Sequence, residues 1–389
     1  MSADRTRVPL TLVAREWSRI GVTGFGGPPT HVRMLRDLCV TRCAWIDDEE
    51  FENALAACAL LPGPASTQLA IFTAWRVAGP LGAIVGGLGF VLPGLVAILV
   101  LAWVFLAEQP SAWLLGAAAG AGSAVAAVAV HAAWGLVPTS WRRRPRTWRW
   151  VAYVVLGAAS AATLGPWVVA VLLGCGVAEL LAQRSLRHRT DDATGAGSPA
   201  LLTISPLGVG VSLATLAAVA WVALKVGALS YGGGFVIVPL MQADAVDRYH
   251  WMTAGQFLTA VSLGQVTPGP VVHTVAVVGY AAAGLLGGLL AAVVAFSPSF
   301  ALVLLGARHF DALRTDPRAR ASLDGSGPAS IGAILGSAVP LARALTEPWQ
   351  FAVLAASLVA LLALRRGVVP TLLVAAGIGV ALTLLGANA

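Results

Sequence analysis

Two cations stand six residues ahead of an aromatic in a glycine-rich stretch: Arg19 before Gly24-Phe25-Gly26-Gly27-Pro28-Pro29, and Lys225 before Ser230-Tyr231-Gly232-Gly233-Gly234. Each is followed by a proline-glycine-proline triplet, Pro62-Gly63-Pro64 and Pro268-Gly269-Pro270. Glycine lets a backbone unwind and approach a ligand closely, and a proline just past the break can start a new half-helix. An opened helix N-terminus presents free N–H groups and about +0.5 of an elementary charge, so two of them supply roughly +1. That is the chemistry of an anion site. A doubly negative oxyanion would remain half compensated, and Arg19 and Lys225 are the candidates for the remainder, with Arg76, His31 and His273 behind them. Ser66, Thr67 and Gln68 after the first triplet, and Gln265, Thr267, His273 and Thr274 around the second, add donors that need no fixed charge. His273 is the titratable group beside a triplet and a candidate carrier of a coupling proton. Each feature has a plainer reading too: close helix packing for the glycines, snorkelling for the two cations, a satisfied packing residue for His273.

The elements that position these residues come in two copies. Pro62 and Pro268, Trp45 and Trp251, Phe51 and Phe257, Gly27 and Gly233, and Phe25 and Tyr231 all stand 206 positions apart. The chain is therefore read as a tandem duplication. Asp47 with Glu50, and Thr253 with Gln256, fall at the same offset with the spacing of a capping box, which favours helix capping over carboxylate chemistry. Pro93 and Pro298 correspond after a one-residue deletion and predict kinked long helices. Proline and glycine are poorly tolerated inside helices, so a triplet in each apolar half predicts one deliberately broken helix per half.

Composition places those helices in a membrane. Hydrophobic residues make up 58% of the chain and charged residues 11%, with a mean hydropathy of +0.81, against roughly a quarter charged in soluble domains. Runs such as Pro80 to Ala107, Trp113 to Val137 and Leu207 to Leu224 approach or exceed the about 20 residues needed to cross hydrocarbon. Arg15, Glu16 and Arg19 interrupt the first apolar run, which argues against a signal peptide. The net charge of +7 sits in clusters between apolar runs, at Arg142 to Arg149, Arg184 to Arg189, Arg308 to Arg320 and Arg365-Arg366, a positive-inside pattern rather than a nucleic-acid face. The cysteines Cys39, Cys43, Cys58 and Cys175 form no metal or redox spacing and are read as packing residues. No metal site or cofactor is expected. A membrane enzyme would need a nucleophile with its base, or paired carboxylates, within the spans; the acidic residues fall largely in loops, with Glu179 the main exception.

The expected organisation is two repeats, 1–182 and 201–389, joined by a polar cytoplasmic linker over 183–200. Within the first, an amphipathic segment from Leu10 to Gly24 precedes a polar loop to about Glu50, a broken hairpin at Pro62 and Pro64, spans from about Pro80 and Trp113, and a hairpin from Trp150 to Leu181 turning at Gly165-Pro166. The second repeats this plan and ends in spans from about Ile331, Phe351 and Val368. Loop charges differ between equivalent places: Arg33, Arg36 and Arg42 against Arg248 alone, and no basic residue over Val104 to Ala112 against four arginines over Arg308 to Arg320. The positive-inside rule then puts equivalent loops on opposite faces, so the halves are expected to be inverted about an axis in the membrane plane. The fold expectation is all-α and integral to the membrane, with re-entrant helices meeting near the midplane.

The GFGGP of Gly24 to Pro28, Trp45 and Phe51, the LPGP of Leu61 to Pro64, GGGFVIVPL from Gly232 to Leu240, TPGPV from Thr267 to Val271, VGYAAAGLLGG from Val277 and FSPSF from Phe296 together resemble the chromate ion transporter (CHR) family, in its long-chain, two-domain form. The resemblance implies export of chromate from the bacterial cytoplasm across the inner membrane and chromate resistance, with sulfate as the structural analogue. A transporter of sulfate, molybdate or another small anion is the alternative. The implied partners are chromate and the lipid bilayer, without nucleic acid and with homo-oligomerisation open. Arg76 in AWRVAG departs from the GYAAAG of the second half and breaks the symmetry of the site. A potential of about 100 mV, negative inside, does roughly 2.3 kcal/mol of work per charge on an exiting anion, hence about 4.6 kcal/mol on a dianion. With no GxxxxGK[ST] loop in the sequence, potential-driven efflux without ATP is the expected energetics.

Overall fold

Every described secondary-structure element is helical. The computed structural model describes residues 7–61, 63–107, 110–144, 146–163, 168–187, 213–230, 236–307 and 316–387. Pro62, Tyr231 to Gly234, the turn at Gly165-Pro166, most of the expected linker and Arg308 to Arg314 lie outside them.

The first half runs α1 (Leu10–Thr23), α2 (Pro28–Arg36), α3 (Asp48–Leu60), α4 (Ala65–Phe105), α5 (Ala112–Arg143), α6 (Thr147–Thr163) and α7 (Val168–Arg187). The second runs α8 (Leu213–Leu229), α9 (Ile237–Gln242), α10 (Ala254–Val266), α11 (Thr274–Gly306), α12 (Pro317–Arg343), α13 (Pro348–Leu358) and α14 (Val368–Leu384). The segment expected as a polar loop to about Glu50 is largely helical instead: α2 passes into a π turn over Asp37–Arg42, with His31, Leu35 and Leu38 buried. Its apolar residues fall on one face, which overrides the polar average of the segment. The second half has the same turn 206 positions on, over Ala243–Arg248, and in both halves a left-handed non-glycine residue follows, Ala44 and His250. The span expected from Ile331 begins earlier, at Pro317, where Asp316 accepts the Arg318 amide at 2.7 Å.

The long apolar helices depart from a simple kink. Helical dihedrals continue through Pro93 and Pro298, whereas the chain leaves them at Gly79 (φ 71°) and at Ala283-Gly284 (Gly284 φ 61°). At both points it doubles back. A methyl group added at Gly86 would overlap the Ala74 side chain, and one at Gly279 would overlap the Gly287 carbonyl, contacts impossible along one straight helix rising 1.5 Å per residue. Each long helix is thus a short arm closed onto a long arm. The left-handed dihedrals suit glycine, and Pro80 then takes the first position of the new helix, where its missing N–H costs nothing. Within the second long arm, Ser297 donates to the Val294 carbonyl at 2.8 Å, supplying a donor that Pro298 lacks.

The long arms carry an outward apolar stripe. Leu81, Leu88, Leu92, Val96 and Trp103 on α4, and Leu285, Leu289 and Val293 on α11, are exposed, a face that suits hydrocarbon rather than water. Among the described residues, three helical stretches, Ala65–Phe105, Ala112–Arg142 and Val271–Gly306, are long and apolar enough to cross a membrane.

The halves interlock reciprocally. The α6 and α7 hairpin of the first half packs on α12 of the second, and α13 and α14 pack on α5. Glycines permit the approach: Gly116 and Gly120 of α5 meet Gly379 and Ala375 of α14, while Gly332 and Gly336 of α12 meet the Val154 and Ala158 carbonyls of α6. Reciprocal pairing of equivalent elements is the signature of an approximate two-fold relation.

Arg76 finds a structural partner. Thr253 and Gln256 form a full capping box, whereas in the first half Asp47 accepts the Glu50 amide at 2.7 Å and the Glu50 carboxylate pairs with Arg76. Where the second half has glutamine opposite alanine, the first has an ion pair. Removing this half-exposed pair in a double-mutant cycle, Arg76→Ala with Glu50→Gln, should give a coupling of at most about 1 kcal/mol in melting experiments, and the transport KM should not move. A tenfold KM change would return Arg76 to the substrate path. A second test concerns packing. Gly94→Ala would push a methyl into the Pro268 carbonyl and should destabilise the detergent-solubilised protein by about 1–3 kcal/mol, while Gly174→Ala, with open space around it, should be neutral or stabilising by up to about 1 kcal/mol.

Candidate functional site

The two triplets interrupt their helices with matching geometry. The chain becomes extended at Leu61 (φ −80°, ψ 148°) and at Thr267 (φ −86°, ψ 148°), passes through Gly63 (φ 118°) and Gly269 (φ 95°), and re-enters a helix after Pro64 and Pro270. Such φ values strain any residue with a side chain. Space is closed as well, since a methyl at Gly63 would lie 2.6 Å from Gln68 Nε2 and 3.2 Å from Ser299 Oγ.

Each triplet packs against the opposite half. Gly63 faces Ser299 of α11 and the Gly227 carbonyl of α8, and the Pro268 carbonyl fills the space beside Gly94 of α4. Gly94 and Ser299 are equivalent positions in the two repeats, so the two contacts are related by the internal symmetry. A hydrogen bond also joins the halves here: the Gly269 amide donates to the Gly24 carbonyl at 3.1 Å. His31 secures the same carbonyl. Its Nε2 lies 2.8 Å from Gly24 O, and because a carbonyl only accepts, Nε2 carries the proton and Nδ1 is left to accept from Ser66 Oγ at 3.4 Å. His31 is thus committed to holding the first glycine break against the second triplet.

Below this crossing lies a cavity of about 570 Å³ shared by the two halves. Gly26, Gly27 and Pro28 at the start of α2, Ala65 and Ser66 at the start of α4, and Val271 at the start of the α11 segment all reach it, with Gly63 and Gln265 between them. Three helix starts, two from the first half and one from the second, therefore reach one space; the free first-turn amides are those of Ala65, Ser66 and Val271, because α2 begins with two prolines and its Thr30 amide is already bonded to the Gly27 carbonyl. Gln265 Nε2 is buried without a partner. Thr67 Oγ1 and Ser299 Oγ, next to the first triplet, are in the same condition. An unpaired buried polar group costs about 1–3 kcal/mol, so the Gln265 amide on the cavity wall is a donor free to meet a ligand. The outer wall comes from α5, through His131, Thr139, Ser140 and Arg144, and from α12, through Asp324, Pro328 and Ser330.

The sequence-derived candidates divide. Gly26, Gly27 and Gly63 line the cavity. Gly24, Pro268 and Gly269 build the crossing behind it. Gln68 is buried against Gly63, and Pro64 and Pro270 cap the restarted helices. Thr274 spends its hydroxyl on the Val271 carbonyl at 2.8 Å. His273 is fully buried between Gly94, Gly269 and Phe296 and is not on the cavity wall. Phe25 is exposed. Pro62, Tyr231, Gly232, Gly233 and Gly234 lie outside the described residues.

The two candidate cations do not face the cavity, and both are paired. Arg19 is half exposed and bridges to Glu16 at 3.3 Å, which Arg42 also approaches at 3.8 Å. Lys225 donates to the fully buried Asp244. Glu16 and Asp244 therefore join Glu179, read as the main exception, as acidic residues inside the fold. Glu179 is itself satisfied by Arg149 at 3.2 Å, Tyr153 at 3.0 Å and Gln183 at 3.1 Å. The α5 wall was missed in the sequence because its polar lining residues, His131, Thr139, Ser140 and Arg144, are diluted in an apolar run and follow no regular helical spacing.

Known proteins now bear on this arrangement. The Chromate transporter family matches residues 11–180 and again 217–382. The chromate transport protein of Cupriavidus metallidurans is 32% identical, covering 88% of this chain and 85% of its own length. The probable chromate transport protein of Synechococcus elongatus is 31% identical over 84% of this chain and 82% of its own, and the chromate transport protein of Pseudomonas aeruginosa is 30% identical over 85% and 80%. No solved structure matches. With its apolar helices and two matched segments, the chain is a multi-pass membrane protein and belongs to the chromate transporter family.

Proposed function

We propose that this protein exports chromate from the bacterial cytoplasm across the inner membrane and so confers chromate resistance. The observation that carries the reading is the single cavity onto which helix N-termini from both halves open, beside the unpartnered amide of Gln265. Chromate is a tetrahedral dianion, and converging amides and neutral donors can bind its oxygens without a fixed counter-charge inside the membrane. Gly26, Gly27, Gly63, Ser66 and Gln265 contact the ion in this reading. Gly24, Pro64, Gln68, Pro268, Gly269, Pro270, His273 and Thr274 hold the shape of the crossing. The repeats are 1–182 and 201–389, joined by a cytoplasmic linker and inverted relative to one another, an arrangement favoured by the opposed loop charges.

The membrane potential supplies the work. An interior-negative potential of about 100 mV favours exit of a dianion by roughly 4.6 kcal/mol, and a site of dipoles rather than fixed cations can release its ion on the far side. Everted, respiring vesicles containing the protein should accumulate chromate, and an uncoupler should abolish the gain; accumulation indifferent to the potential would refute the energetics. Competition by sulfate and molybdate at comparable concentrations would shift the substrate towards oxyanions in general. Gln265→Leu, which removes a donor of about the same size, should raise the chromate KM about 10- to 100-fold, the worth of a hydrogen bond to a charged group, with little change in melting temperature. An unchanged KM would remove Gln265 from the site.

A further inference from the structure

We propose that His131 is a substrate-contacting residue whose protonation supplies the positive charge the cavity otherwise lacks, so that oxyanion binding is linked to proton uptake. The inference rests on the proposed oxyanion site and deepens it.

His131 lies on the cavity-facing stripe of α5 that runs from Val128 through Ala132 and Leu136 to Ser140 and Arg144. Its Nδ1 is buried and has no hydrogen-bond partner. The charges around it cancel. Among the described lining residues the ionisable groups are Cys58 from α3, His131 and Arg144 from α5, and Asp324 from α12. With Cys58 as a neutral thiol, Arg144 and Asp324 bring one charge of each sign. The elements α10, α13 and α14, which also pack on α5, contain no ionisable side chain. Arg144 is further occupied, donating to the Trp141 carbonyl at 2.6 Å and to Thr147 Oγ1 at 3.2 Å while stacked over the Trp141 ring. The other cations once assigned to the ion, Arg19 and Lys225, are held by Glu16 and Asp244.

A dianion entering this space meets helix dipoles worth a partial charge each and no net side-chain charge. Imidazole is the side chain able to exchange a neutral for a fully positive state near physiological pH, and His131 is the imidazole on the cavity wall. A protonated ring has a donor on both nitrogens and an anion in front of it to receive one. The sign follows directly: binding that favours the protonated form strengthens as pH falls, and on the alkaline side of the titration affinity drops by about tenfold per pH unit. Loss of the proton would then loosen the ion's hold.

The test is equilibrium dialysis of chromate against the full-length, detergent-solubilised protein from pH 6 to pH 8.5, for wild type, His131→Gln and His131→Lys. Chromate's own protonation acts equally on all three and cancels in affinity ratios. The wild-type to His131→Gln ratio should fall at least tenfold between the two limits, and His131→Lys, with a fixed cation, should bind at pH 8.5 about as tightly as wild type does at pH 6. If His131→Gln does not fold, the wild-type to His131→Lys ratio carries the same test. Ratios that stay constant while the wild type binds chromate would overturn the role of His131 and leave the oxyanion site standing. Absence of chromate binding by the wild type at every pH would sink the oxyanion site itself, and this inference with it.

Discussion

A backbone amide cut loose from its helix in an apolar interior must find an acceptor, and at Gly269 that acceptor is the Gly24 carbonyl of the opposite repeat. Much else follows from this one bond. It requires α1 to end at Gly24, and His31 to turn back from α2 onto the same carbonyl. It brings the second triplet against the space beside Gly94, which only a residue without a side chain leaves open. The symmetric contact, Gly63 against Ser299 and Gly227, closes the other side. Breaking two helices is costly, and the cost is offset because each break is completed by the other half. The restarted helix ends are left aimed at a common space.

The electrostatics of that space are unusual for an anion transporter built only on fixed cations. Carboxylates deep in the fold are matched where they stand: Glu16 by Arg19 and Arg42, Asp244 by Lys225, Glu179 by Arg149. Isolated buried charges would cost several kcal/mol each, and pairing removes that cost at the expense of leaving nothing over for a ligand. In the proposed site what remains for the ligand is dipolar: the free amides of Ala65, Ser66 and Val271 and neutral side-chain donors. Such a site attracts an anion without trapping it, a condition that any ion path must meet. The same reasoning makes a single titratable group in the cavity more consequential than it would be among unpaired arginines.

The repeat offset carried much of the architecture in advance. Equivalent residues 206 positions apart proved to be equivalent in structure down to the caps at Asp47 and Thr253, the π turns after α2 and α9, and the left-handed glycines of the triplets. These features are dictated within a few residues of chain, by what proline, glycine and a capping side chain do to their own backbone. Where the reading strayed, a longer-range competitor had won. Pro93 and Pro298 were expected to bend the long helices, yet the folding back occurs at Gly79 and Gly284, where the chain adopts left-handed dihedrals and the two arms pack closely.

The sequence by itself determined the membrane setting, the duplication, the positions at which the helices break and the residues able to sit there, because composition and backbone stereochemistry act locally and leave a readable mark. Tertiary structure alone decided which cations are spent on carboxylates, which half's carbonyl receives the amide freed at Gly269, and that α5 and α12 wall the cavity with His131, Arg144 and Asp324. Those outcomes depend on side chains from both halves converging, and neither the spacing nor the type of a residue records what will stand opposite it once the repeats interlock.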